Sequence, residues 1–281
     1  MKHLSFFGLI FIAALIFSGC GGGKNTASDD SADVMMETEV GKIYFKLHDE
    51  TPKHKENFLK LCRQGYYNGI EFHRVIPKFM IQAGDPGTKP GNTPDPQHDD
   101  VGYKIDAEIL PQFHHFEGAL CAARDDNPDF KSSGSQFYVV TGNKIPDSKM
   151  DTIEMNTTMM LQTQMNRQFN KENEEMSKTE RARLNEYAEK NNKDSVNAIQ
   201  KRMSDKFRVY LTEKNFQPYK ISPEARGTYR EKGGSPWLDG MYTIFGSVIE
   251  GMDVIKKIES AENNATKPVK PVRIIKTEVL K

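Results

Sequence analysis

The chain has few cysteines, a single tryptophan, no surplus of either charge and no long apolar run. Three Cys in 281 residues are too few for a disulfide framework. The balance of 39 Lys+Arg against 39 Asp+Glu excludes a generally basic surface built to neutralise phosphates, so nucleic acid is not an expected partner. The longest apolar stretch, Leu4 to Phe17, has 14 residues and is too short to span a bilayer comfortably. With 37% hydrophobic residues and a mean hydropathy of -0.66, a packed core can form, but part of the chain is more polar than a compact domain. The length holds one sizeable domain and something extra.

The beginning of the chain reads as an address. Lys2 supplies a positive start, the apolar stretch follows, and Phe17-Ser18-Gly19-Cys20 places small residues directly before a cysteine. That string resembles the lipobox cut by bacterial lipoprotein signal peptidase, with Phe17 where the family usually has Leu. The resemblance implies that residues 1–19 are a lipoprotein signal peptide and that Cys20 is the lipidation site. A diacylglyceryl group on its thiol and an acylated amino terminus would anchor the chain to a membrane of the bacterial cell envelope. Residues 20–35 are expected to be a flexible tether, because Gly21 to Asp33 contains nothing apolar larger than Ala. Cys62 and Cys121 remain, and buried free thiols are preferred to a disulfide for them.

Beyond the tether, Ile43, Phe45 and Leu47 alternate with Lys42, Tyr44 and Lys46, the period of a strand with one apolar face. Glu37 to Leu47 is therefore a strand pair turning near Gly41. Thr51-Pro52 starts a helix, with the Thr hydroxyl expected to accept an orphan N-H and Gly65 as the stop. Short runs separated by turn residues follow: Ile70 to Ile76, Phe79 to Ala83, Gly118 to Arg124, Ser135 to Thr141 and Tyr242 to Ile249. Met252 to Ile258 makes a second short helix and Val272 to Leu280 a last strand. This is the pattern of a small antiparallel barrel.

Residues 148–234 differ in character. Seven of the 13 Met lie here among many Asn, Gln, Glu and Lys, and no strand pattern survives. Val196, Ile199, Met203, Phe207 and Tyr210 step by three and four, one apolar stripe on a helix. Ser222-Pro223-Glu224 is a capped helix start, with Gly233 after its end. The block reads as a helical insertion between two parts of one domain, 36–147 and 235–281. Its methionines could form an adaptable surface for a protein partner, or pack against their own neighbours.

The most informative string is Phe72 to Pro86, FHRVIPKFMIQAGDP, where an Arg lies beside aromatic and thioether side chains. Read with Asn57 to Gly69, Gly134 to Val140 (GSQFYVV) and Pro236 to Ile255 (PWLDGMYTIFGSVIEGMDVI), it resembles the cyclophilin family of peptidyl-prolyl cis-trans isomerases. The motifs stand in the family's order over about residues 37–147 and 235–280. The resemblance implies a mainly β fold, an eight-stranded antiparallel barrel capped by two helices. It places the family's catalytic arginine on Arg74 and its companion glutamine on Gln82. Phe79, Met80, Tyr138 and Leu238 fall on the positions that hold the proline ring. Ala123, Arg124 and Gln136 match the groove for the residues before the proline, with the Arg124 main chain bonding the substrate. Trp237 and Tyr242 fall on the rim. Tyr138 replaces the usual Phe, Tyr242 a His of many eukaryotic members, and Arg124 an Asn, which bears on substrate preference.

The implied activity is isomerisation of X-Pro bonds in exported or envelope proteins, with proline-containing polypeptides as clients and no cofactor or metal required. The rival is a non-catalytic chaperone or binding module acting through the insertion. His98, Asp99, Asp100, His114 and His115 fit no metal-ligand spacing and read as polar loop residues. Asp125, Asp126 and Asp129 lack the order of a calcium loop and read as a solvated turn.

Overall fold

A computed structural model describes residues 32–93, 95 and 99–281. The expected signal peptide, Cys20, most of the tether and His98 lie outside the described residues. The contacts of the sheet domain include residues before the expected boundary at 36. Asp33 is buried, its carboxylate accepts the Leu47 N-H at 2.7 Å, and Lys46 pairs with it at 3.1 Å.

Strand β1 (Val34–Thr38) and β2 (Gly41–Leu47) form the expected hairpin, with Val34 opposite Phe45 and Met36 opposite Ile43. The period of two is realised: Ile43, Phe45 and Leu47 are buried, and Lys42, Tyr44 and Lys46 are not. The remaining strands are β3 (Arg74–Ile76), β4 (Met80–Ala83), β5 (Lys104–Ile105), β6 (Ala119–Ala122), β7 (Ser132–Ser133), β8 (Phe137–Val140), β9 (Ile244–Glu250), β10 (Asn263–Asn264), β11 (Lys267–Pro268) and β12 (Ile274–Val279). Six of these join β1 and β2 in one eight-stranded sheet in the order β12-β1-β2-β9-β6-β8-β4-β3, every neighbouring pair antiparallel. The sheet curls until its ends meet: Gly69 N-H donates to Ile274 O, Ile274 N-H to Ile70 O and Phe72 N-H to Val272 O, at 2.7 to 2.9 Å. Two-residue ribbons pair β5 with β7 and β10 with β11.

Inside the curl, Phe45, Phe72, Phe137, Leu120, Ile81 and Val139 meet in one apolar core. Helix α1 (Pro52–Arg63) covers it with Phe58, Leu61 and Cys62, and helix α6 (Met252–Glu259) with Val254, Ile255 and Ile258. Phe58 lies within 5.2 to 6.3 Å of the rings of Phe45, Tyr67, Phe137 and Phe245. The start of α1 departs from expectation. The Thr51 hydroxyl is turned inward to donate to His48 O, and the orphan N-H groups of Lys53 and His54 are accepted by the Glu108 carboxylate at 3.0 Å each. The helix ends before Gly65, whose φ of +62° suits a residue without Cβ.

Between β8 and β9 run helices α2 (Asp147–Glu172), α3 (Glu174–Glu189), α4 (Lys193–Glu213) and α5 (Pro223–Glu231). The stripe on α4 turns Ile199 and Tyr210 inward, and Tyr210 lies 5.3 Å from Phe169 of α2. Ser222 caps α5 as expected, accepting the Ala225 N-H at 3.1 Å. Met150, Ile221, Ala225 and Tyr229 join Ile145 in a small core where the helices meet the sheet domain. Among the described residues no helix is long and apolar enough to cross a membrane. Cys62 and Cys121 are buried free thiols. Burial pushes the Cys62 thiol up to about 12.

Candidate functional site

Strand alternation builds two faces from three short strands. Ile81, Ala83, Leu120, Ala122, Phe137 and Val139 point into the main core, so their neighbours must point out. The outward set is Met80, Ala119, Cys121, Tyr138 and Val140, joined by Leu238 and Ile244 in a second apolar cluster. Phe79, Ala123, Trp237 and Tyr242 pack against its margin. Trp237 and Leu238 come from a 3-10 turn, Pro236–Leu238, and the Trp237 ring is 5.8 Å from that of Phe79.

Arg74 lies at one edge of this patch. Register sets it opposite Gln82, and Gln82 opposite Tyr138, so a cation, an amide and an aromatic ring stand in one row across three strands. Arg74 is exposed, and its Nη1 donates to Gln82 Oε1 at 3.1 Å. Gln82 Nε2 donates to Gln136 Oε1 at 2.7 Å, and Gln136 Nε2 to the Asp99 carbonyl at 2.8 Å. A fixed guanidinium beside an apolar surface is the result. Next to the amides, a cavity of about 610 Å³ is lined by Gln82, Tyr103, Ala123, Arg124 and Gln136. Arg124 is held flat at the rim, 4.8 Å from the Tyr242 ring and 5.0 Å from the Phe130 ring, with Nε donating to Met241 O at 3.0 Å. All eleven expected site residues of the domain thus come to one face. Such a face can grip a small apolar ring while presenting hydrogen-bond donors to an amide at its edge.

His114 and His115 lie in the loop before β6, as expected, but that loop is folded inward. His115 is fully buried, and both imidazoles meet Asp239, itself 2% exposed. Asp239 Oδ1 accepts the His115 N-H and Nδ1, at 2.8 and 2.7 Å. Its Oδ2 accepts His114 Nδ1 and the hydroxyls of Tyr219 and Tyr229, at 2.6 to 2.8 Å. The far nitrogen of His115, Nε2, is 3.1 Å from the Tyr138 hydroxyl. Burial alone would push the Asp239 carboxyl up, but the bonds from His114, His115 and Tyr219 hold it below the usual carboxylate range. Burial raises the phenols of Tyr138, Tyr219 and Tyr229 above their ordinary value. Sequence reading missed this cluster because its members are remote: His115 and Asp239 are separated by 124 residues. The Asp-rich turn is not simply solvated either. Asp125 pairs with Lys104, and Asp126 and Asp129 pair with Arg167 and Lys171 of α2.

Comparison with known proteins places these features in a family context. Residues 33–160 and 157–279 match the family model described as cyclophilin type peptidyl-prolyl cis-trans isomerase/CLD. The chain is 26% identical over 252 residues to peptidyl-prolyl cis-trans isomerase ppi1 of Schizosaccharomyces pombe, covering 89% of this chain and 99% of that protein. It is 36% identical over 111 residues to peptidyl-prolyl cis-trans isomerase-like 1 of Aspergillus fumigatus, covering 39% of this chain and 65% of the relative. A cyclophilin type isomerase of Cryptosporidium parvum, crystallised in the presence of the dipeptide Ala-Pro, superposes with a TM-score of 0.48 at 20% identity, over 88% of this chain and 97% of that one.

Proposed function

The chain belongs to the cyclophilin-type peptidyl-prolyl cis-trans isomerases, and from that premise we propose that Arg74 and the patch beside it are the isomerase centre, working on exported proteins from a lipid anchor at Cys20. The observation that carries the assignment is the Arg74 guanidinium held by Gln82 at the edge of the Phe79, Met80, Tyr138 and Leu238 surface. An amide C-N bond resists rotation by about 18 to 20 kcal/mol because the nitrogen lone pair is delocalised into the carbonyl. The unaided X-Pro bond therefore exchanges over roughly tens to hundreds of seconds. In the twisted state the lone pair returns to nitrogen and can accept a hydrogen bond. A donor that meets it only there lowers the barrier without covalent chemistry. Arg74 supplies that donor and Gln82 keeps it aimed. The apolar patch holds the proline ring while the carbonyl side turns. Ala123, Arg124 and Gln136 receive the residues before the proline, and Trp237 and Tyr242 close the rim. Arg74→Lys keeps the charge but loses the planar fork, so it should restore activity only in part.

Acceleration of a proline-limited refolding reaction tests the assignment. The wild type should shorten the slow phase, Arg74→Ala should not, and Arg74→Lys should fall between them. An Arg74→Ala variant as fast as wild type would move the centre elsewhere. The anchor has its own test: labelled fatty acid should enter the wild type and not Cys20→Ser, and equal labelling of both would remove the lipoprotein assignment.

A second reading concerns the helices between β8 and β9, which we take as an insertion into the family's domain with a protein-binding role. Met155 and Met159 are each 58% exposed on α2, and Met160 lines a cleft of about 410 Å³ together with Arg124 and Tyr242. Unfolded chain leaving the proline patch past Tyr242 would meet this wall. Met160→Asp should weaken binding of long unfolded clients while sparing turnover of a four-residue peptide. Equal loss for both lengths would deny the wall a binding role.

A further inference from the structure

We propose that Asp239 and His115 are positioning residues of the isomerase site, and that Tyr219 and Tyr229 of the helical segment complete the same device. The proposal rests on the assignment of Tyr138 to the proline-holding surface. A phenol in place of an apolar ring brings a hydroxyl into an otherwise apolar cluster, and a buried hydroxyl without a partner costs roughly 1 to 3 kcal/mol. Here the partner is the fully buried His115, whose Nε2 is 3.1 Å away, with the two rings parallel within 6°.

That bond needs the imidazole held in one orientation. An ionised carboxylate can only accept, so at the 2.7 Å contact with Asp239 the His115 Nδ1 must donate, which fixes the ring and leaves Nε2 to bond the Tyr138 hydroxyl. Asp239 in turn is a carboxylate almost out of water, tolerable because five donors converge on it. Two of the five are hydroxyls of the helical segment. The segment therefore reaches the floor of the patch through four side chains: Tyr229 or Tyr219, Asp239, His115 and Tyr138. The approach is close by construction. Gly234 has a φ of +147°, a Cβ on it would stand 2.3 Å from the His115 carbonyl, and the next residue, Ser235, donates its N-H to that carbonyl at 2.8 Å. With its hydroxyl bonded to buried His115 and its ring perpendicular to Tyr242 at 5.9 Å, Tyr138 can offer the carbon of its ring to the substrate. Loosening the tie would free the hydroxyl to turn into the patch and would misplace the ring by an amount that matters for a barrier set by geometry.

A double-mutant cycle on the full chain tests this, read as kcat/KM on an X-Pro peptide. Asp239→Asn should lower kcat/KM about tenfold when Tyr138 is present. In the Tyr138→Phe background, which has no hydroxyl to hold, the same change should cost less than about twofold. Tyr229→Phe, which removes one oxygen atom, should repeat the pattern on a smaller scale, about threefold against none, and serves if Asp239→Asn does not fold. It should also shift the imidazole nitrogen resonances of His115, which shares the Asp239 carboxylate with Tyr229 but lies far from it in sequence. Equal losses in both backgrounds would mean that Asp239 and Tyr229 act through stability alone, and would overturn the proposal while leaving the isomerase assignment standing. A folded parent chain with no isomerase activity would remove both together.

Discussion

The sheet domain and the helical segment are held together by different physics. In β6 and β8 every residue is buried, and the core they share is continuous from α1 to α6. In α3 only Ser177 and Glu180 are buried, and in α4 only Ile199 and Tyr210. Their outward faces carry paired charges, such as Lys178 with Glu174 and Lys201 with Asp205. The segment is itself divided. Its root, where α2 begins and α5 ends, has an apolar cluster of its own, a buried Glu154 tied to Lys220 and to Ile221 N-H, and the two tyrosines on Asp239. Its distal part is pinned chiefly by Phe169, Phe207 and Tyr210. The root behaves as part of the sheet domain, and the distal part as an arm carried on it.

Substitutions of graded effect sharpen this division. Phe137→Ala removes a ring that three others touch, and should cost about 3 to 5 kcal/mol by urea unfolding. A loss below about 1 kcal/mol would deny the sheet domain a single core. Glu154→Gln weakens the tie of the root and should cost about 1 to 3 kcal/mol, with faster hydrogen exchange in α5 and at the start of α2 but not in β8. Exchange rising equally in β8 would erase the boundary.

Mild acid should act on the sheet domain first. Burial lowers the pKa of His54, against the opposing pull of Glu108, from an ordinary value of 6.5. The folded state thus resists a proton that the unfolded chain takes up, so stability is full above pH 6.5 and falls as pH drops below it toward the folded value. His48 and His73 are lowered by burial in the same direction. Urea midpoints measured from pH 7.5 to 5 should decline, and less so in His54→Gln if that substitution is tolerated. The smallest effect belongs to the arm's surface: Lys178→Ala should leave the midpoint unchanged, and a clear drop would show that its exposed pairs matter more than their solvation allows.

Legibility follows the same division. The strands were readable where one face is buried, as at Ile43, Phe45 and Leu47, and α4 where its stripe meets Phe169. The residues expected at the site lie in local motifs, and register brings them to one face: Arg74 faces Gln82 directly. Helices α2 and α3 carry no sustained apolar stripe, since their exposed turns need none, and periodicity did not reveal them. The cap of α1 was misread for another reason. Thr51 has the right chemistry, but Glu108, more than 50 residues away, reaches the same N-H groups. His115 and Asp239 were hidden in the same way, because a buried polar partner is chosen by the fold and leaves no spacing in the chain.

The central question is whether catalysis resides on the sheet face at Arg74. Exchange of a short X-Pro peptide between cis and trans, followed by NMR at substoichiometric protein, measures this directly. The full chain should accelerate exchange, and Arg74→Ala should lose about a hundredfold of that acceleration while retaining the wild-type urea midpoint, because the side chain is exposed and packs into no core. No acceleration by a folded wild type, or undiminished exchange with Arg74→Ala, would contradict that placement.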